Sequence, residues 1–127
     1  MLESSEPRAR VLLVEDDAAV ARVLSRILKH HDLVHELTSP GALHRIRAGE
    51  RFEVIISDVM MPELTGPQLY AELERIAPDQ AARMIFVTGG ATDDAARAFV
   101  EAAPRPVIYK PVEADSLRAA VRKLLGR

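Results

Sequence analysis

The run Val11-Leu12-Leu13-Val14 is apolar at every position and stops abruptly at Glu15-Asp16-Asp17. A second run, Val54-Ile55-Ile56-Ser57, stops the same way at Asp58. Short apolar runs bounded by polar residues read as strands covered on both faces, the condition of a parallel sheet. Carboxylates do not belong inside such a sheet. They must stand at its carboxyl edge, where open α/β sheets keep their ligand crevices. Acids gathered on one edge repel each other unless a hard cation or a shared proton holds them.

Helix and strand signals alternate along the rest of the chain. Val20, Val23, Leu24, Ile27 and Leu28 fall at i, i+3, i+4, i+7 and i+8, one helical face. Leu33 to Leu37 alternates weakly and predicts a short strand near a sheet edge. Ser39-Pro40 predicts a helix start, with serine as N-cap and proline at the first helical position. A third helix is predicted from Thr65 to Ile76 and a buried strand over Met84-Ile85-Phe86-Val87, ending in Thr88-Gly89-Gly90. An alanine-rich helix from Asp93 to Ala103 leads to the strand Val107-Ile108-Tyr109, then Lys110-Pro111, then a last helix from Glu113 to Leu125. Five strands alternating with five helices predict a doubly wound parallel sheet, and the flavodoxin-like order 2-1-3-4-5 is the commonest at this size. That order makes strands one and three neighbours, so Glu15, Asp16 and Asp58 end side by side.

At 127 residues the chain fits one domain. Residues 1–8 read as a flexible tail and 9–127 as the folded unit. The absence of cysteine excludes thiolate metal sites and cysteine nucleophiles. A net charge of −2 gives no general attraction to nucleic acid or to an anionic membrane. No stretch approaches the roughly 20 apolar residues needed to span a bilayer, and the polar, acidic start is unlike a signal peptide. A cytoplasmic domain is expected.

Magnesium takes octahedral oxygen ligands and keeps several waters, so one or two carboxylates plus a substrate phosphate suit it. Asp16 and Asp58 are candidates for that role, with Glu15 reaching through water. Asp17 reads as a cap on the first helix, whose N-terminus favours carboxylates. Thr88 and Lys110 end the fourth and fifth strands at the same edge. A hydroxyl and an ammonium facing carboxylates make sense where an extra anion binds, as in phosphoryl transfer. Taken singly, Thr88 could merely end a strand and Lys110 merely neutralise an acid. Together at consecutive strand ends they point to a phosphoryl site.

These residues carry a resemblance. Glu15-Asp16, Asp58 within Asp58-Val59-Met60-Met61-Pro62, Thr88 and Lys110-Pro111 resemble the receiver domains of two-component response regulators, over about Arg10 to Leu125. The resemblance implies that Asp58 is the phosphoacceptor for the phosphohistidine of a sensor histidine kinase or phosphotransfer protein. It implies magnesium held by Asp16, Asp58 and the backbone carbonyl of Met60. Thr88 would hydrogen-bond the phosphoryl group and Lys110 would pair with it. Met60 and Gly90 sit where the family tunes hydrolysis, and an apolar Met60 offers no group to orient a water. The family usually has an aromatic residue three positions before the lysine, where this chain has Val107. Tyr109 is expected on the other face of that strand. Signalling would then use another element, such as the loop after Asp58, or the domain would mainly relay phosphate.

Such a module is not a turnover enzyme. An aspartate-nucleophile phosphatase would carry a second aspartate two residues after the nucleophile, where this chain has Met60. A pseudo-receiver that only binds partners would be expected to have lost acids or the lysine. Both a stand-alone regulator and a receiver excised from a hybrid histidine kinase fit, as a monomer or weak homodimer. His30, His31, His35 and His44 show no zinc-site pairing and read as surface or helix-end residues. Met60 and Met61 are candidates for a flexible contact surface.

Overall fold

A computed structural model describes residues 7–89 and 94–127. Five strands, β1 (Arg10–Val14), β2 (Asp32–Glu36), β3 (Val54–Asp58), β4 (Met84–Thr88) and β5 (Val107–Tyr109), form one sheet in the order β2-β1-β3-β4-β5. All four pairings are parallel. This is the flavodoxin-like order expected from the sequence. The helices are α1 (Ala18–Ile27), α2 (Ser39–Arg47), α3 (Gly66–Ile76), α4 (Pro78–Ala81), α5 (Asp94–Glu101) and α6 (Ala114–Leu124). The four-residue α4 is additional to the five expected helices.

Every residue of β3 and β4 is buried, because helices cover both faces of the sheet. Strand alternation divides the core. Leu12, Val14, Ile55, Met84 and Phe86 face Ala42, Leu43 and Ile46 of α2 and Leu69 and Leu73 of α3. Val11, Leu13, Val54, Ile56, Ile85 and Val87 face Ala21 and Leu24 of α1 and Leu117 and Val121 of α6. Burying a leucine- or valine-sized side chain is worth about 1.5–3 kcal/mol, so this two-sided core holds the sheet rigid beneath its carboxyl edge.

Several details differ from the sequence reading. Val23 is 50% exposed, so the covered stripe of α1 is narrower than its apolar pattern. Thr38, not Ser39, caps α2: its Oγ1 accepts from Gly41 N at 3.1 Å. Ser39 lies inside the first turn with its hydroxyl buried and without a hydrogen-bond partner. Thr65 caps α3 in a reciprocal capping box with Gln68. Met61 is buried in the core rather than available as a contact surface. Phe86 pairs in register with Val107 and Thr88 with Tyr109. Residues two apart on a strand share a face, so Tyr109 lies on the same face as Val107, not the opposite one. Val107 packs against the core, whereas Tyr109 is 60% exposed. At the other end of the sheet, Arg127 Nη1 donates to the Pro7 carbonyl at 3.0 Å.

Candidate functional site

β1 ends at Val14 and β3 at Asp58, and the two strands are adjacent. The carboxyl edge therefore collects Glu15, Asp16 and Asp58. One carboxylate oxygen from each lies within 4.8 Å of the others. Glu15 is 1% exposed and Asp58 6% exposed, while Asp16 is open to solvent. Asp17 stands apart, capping α1 through Oδ1, which accepts from Ala19 N at 2.9 Å and Val20 N at 3.3 Å. Its expected helix-cap role is the observed one.

Asp58 is held at both oxygens. Oδ1 accepts from Met60 N at 3.1 Å and Oδ2 from Lys110 Nζ at 2.6 Å. Lys110 Nζ also lies 3.4 Å from Glu15 Oε1. Burial lowers the Lys110 pKa, but pairing with Asp58 and Glu15 outweighs it and leaves the ammonium above its ordinary 10.5. Glu15 moves the other way from a surface glutamate. Burial, aided by the Asp58 charge, raises its pKa above 4.5 against the opposing Asp17 N–H and Lys110. Glu15 Oε2 accepts from Asp17 N at 3.2 Å.

Thr88 is fully buried at the end of β4, and its carbonyl accepts from Lys110 N at 2.7 Å, which fixes where the lysine leaves the sheet. The Lys110–Pro111 peptide is cis. Met60 is partly buried and packs against the core. Gly89 is exposed, and a Cβ placed on it would meet nothing nearer than Lys110 Cδ at 3.9 Å. Gly90 lies outside the described residues. Phe86, Phe99 and Tyr70 form an edge-to-face cluster beside Val107, with Phe86 and Phe99 centroids 5.0 Å apart.

Two contributors escaped the sequence reading. A Cβ on Gly66 would sit 2.5 Å from the Asp58 carbonyl oxygen and 3.0 Å from Val59 Cα. Only glycine admits this close passage of α3 under the acceptor loop. The nearby Thr-Gly-Pro helix start was its only sequence signal. His35, read as a surface histidine, places Nε2 2.8 Å from the Glu15 carbonyl oxygen. Strand alternation signals exposure there, not that reach. His31 also has a structural partner, its Nδ1 accepting from Ala9 N at 3.0 Å.

The acids form an all-oxygen donor set that suits a hard divalent cation rather than a thiolate- or imidazole-seeking metal. Lys110 brings an ammonium to that edge. Together with a cation on those acids, it would gather anionic oxygens around one buried carboxylate.

Residues 11–122 match the family model for the response regulator receiver domain. The chain is 37% identical over 122 residues to the sensor kinase CckA of Brucella abortus, covering 94% of this chain and 13% of that protein. It is 36% identical over 122 residues to the response regulator protein FleR of Pseudomonas aeruginosa, covering 94% of this chain and 25% of that one. The chain thus spans a small part of these relatives. Among solved structures, the signal receiver domain of a signal transduction histidine kinase from Syntrophus aciditrophicus superposes with a TM-score of 0.78. The two share 28% identity over 93% of this chain and 90% of that one. Among the described residues no helix is long and apolar enough to cross a membrane. The fold, the convergent acids and the matched span together establish that this chain belongs to the response regulator receiver domain family.

Proposed function

We propose that Asp58 accepts a phosphoryl group from the phosphohistidine of a sensor histidine kinase or phosphotransfer protein, in a magnesium-dependent phosphorelay. The observation that carries this is Asp58 itself. It is a carboxylate 6% exposed, yet it opens onto an edge it shares with Glu15, Asp16 and Lys110. In the transfer an Asp58 oxygen bonds to phosphorus as the phosphorus–nitrogen bond breaks. The electron pair leaves with the imidazole nitrogen. Asp16, Asp58 and the Met60 carbonyl would hold magnesium, with Glu15 acting through water. When bound, the cation supplies positive charge against the phosphoryl oxygens. The Thr88 hydroxyl and the Lys110 ammonium donate to those oxygens. With an apolar Met60 there and Gly90 at the second tuning position, hydrolysis of the acyl phosphate is unaccelerated. The domain acts as an acceptor and relay rather than a turnover enzyme, in the cytoplasm, with 9–127 as the receiver unit and 1–8 as a tail.

The similar proteins include both a sensor kinase and response regulators, so a stand-alone regulator and a receiver from a hybrid kinase both fit. Incubation with acetyl phosphate or a phosphohistidine donor, with and without magnesium, followed by intact mass, tests the reading. A magnesium-dependent phosphoryl adduct lost in Asp58→Asn is expected. Absence of an adduct from both donors would replace this reading with that of a partner-binding pseudo-receiver.

A further inference from the structure

Asp16 is the most exposed of the three clustered acids, and no hydrogen bond to its side chain is present among the described residues. Its position therefore depends on the backbone to either side. After it, Asp17 N is fixed by Glu15 Oε2 at 3.2 Å. Before it, the Glu15–Asp16 peptide carbonyl is met by His35 Nε2 at 2.8 Å. A carbonyl oxygen only accepts, so Nε2 carries the proton and donates. Glu15 N also donates to the Glu36 carbonyl at 3.1 Å. The outermost strand β2 thus grips Glu15 twice, once through its main chain and once through the ring of His35.

We infer that His35 is a positioning residue for the cation site, holding the Glu15–Asp16 peptide so that the Asp16 carboxylate faces Asp58. This rests on the metal-assisted reading above. A main-chain ladder bond would arise with any residue at position 35, but the bond to the Glu15 carbonyl needs a side-chain N–H at this reach. His35 is exposed as a residue, and its contact with the site is that one bond. A partner that orients a metal ligand from behind commonly changes metal affinity about 10–100-fold when removed.

The test uses the full 127-residue chain, with magnesium binding read by titration calorimetry at fixed pH and thermal unfolding read in EDTA. His35→Ala is expected to weaken magnesium binding about tenfold, the low end of that range. His35→Gln, whose amide N–H has a similar reach, is expected to restore it to within about twofold. The magnesium concentration for half-maximal labelling of Asp58 should shift with the affinity, while the rate at saturating magnesium stays close to wild type. His35→Ala binding as tightly as wild type would sink the inference and leave the metal-assisted reading standing. Equal weakening in both variants would reduce His35 to a structural role and overturn it. If wild type itself bound no magnesium, the metal-assisted reading would fall, and this inference with it.

Discussion

Lys110 Nζ stands 2.6 Å from Asp58 Oδ2 and 3.4 Å from Glu15 Oε1, so one ammonium pairs with two buried carboxylates, one ending β3 and one just past β1. Taking it away leaves the acids facing each other. Removing one partner of a fully buried ion pair costs about 3–5 kcal/mol. With the Lys110 side chain 23% exposed, Lys110→Ala is expected to lose roughly 2 kcal/mol in EDTA. Millimolar magnesium should recover part of that loss, since a ligand that binds only the folded state stabilises it. Urea unfolding with and without magnesium checks this. A loss that magnesium leaves untouched would refute it.

Glu15 ties stability to pH with a definite sign. Its folded pKa lies above 4.5, chiefly through burial, so the folded state binds its proton more tightly than the unfolded chain does. The group therefore favours folding at low pH, and that contribution is lost as pH rises from about 4.5 through the raised value. Glu15→Gln removes the titration. In EDTA the stability difference should shift in favour of Glu15→Gln as pH rises through that window, then level off. A difference independent of pH between 4 and 7 would count against a buried carboxyl whose pKa is raised.

Gly66 is expected to tolerate no side chain. Its neighbours at 2.5 Å and 3.0 Å are the backbone of Asp58 and Val59, which cannot rotate aside. Gly66→Ala should cost about 1–3 kcal/mol, the usual range for overpacking, and slow the labelling of Asp58 by displacing its carbonyl. Gly89→Ala, with only Lys110 Cδ at 3.9 Å, should stay within about 0.5 kcal/mol. Thermal unfolding of the two variants side by side distinguishes a local steric requirement from a general need for glycine.

Gln80 offers a separation of stability from chemistry. It is 3% exposed, accepts from Phe52 N at 2.8 Å and donates to the Phe52 carbonyl at 3.1 Å, clamping the chain just before β3. Gln80→Leu leaves both peptide groups unpaired, at about 1–3 kcal/mol for each buried group. The clamp sits at the amino edge of the sheet, away from Asp58. Labelling of the folded variant should match wild type although its unfolding midpoint drops. Slower labelling at full foldedness would contradict that separation.

Much of this arrangement was legible in the sequence because it depends on short-range pattern. Short, mainly apolar runs ending in acids placed β1 and β3, and strand order then brought Glu15, Asp16 and Asp58 together. What escaped depends on contacts across space. The α4 turn is four residues long, too short for a helical period to show. Thr38 and Ser39 are both competent caps, and Pro40 fits the first turn from either start. Val23 keeps the apolar period, yet half of it faces solvent, because coverage is set by the neighbouring elements. Tyr109 followed from strand alternation and was misassigned. Gly66 and His35 act through residues 8 and 20 positions away, and no local pattern marks such a meeting.

The bond from Arg127 to the Pro7 carbonyl brings the two ends of the described chain together at the amino edge of the sheet. The acceptor opens at the opposite edge, a full strand length away. Strands and antiparallel return helices make this inevitable, but it has a practical meaning. A tether, a fluorescent reporter or a neighbouring module joined at Pro7 or at Arg127 departs from one shared point, leaving the approach to Asp58 clear from the other side. Domains with adjacent ends also accept insertion into a host chain with little disturbance. This receiver is built like a plug, wired from behind and open at the front.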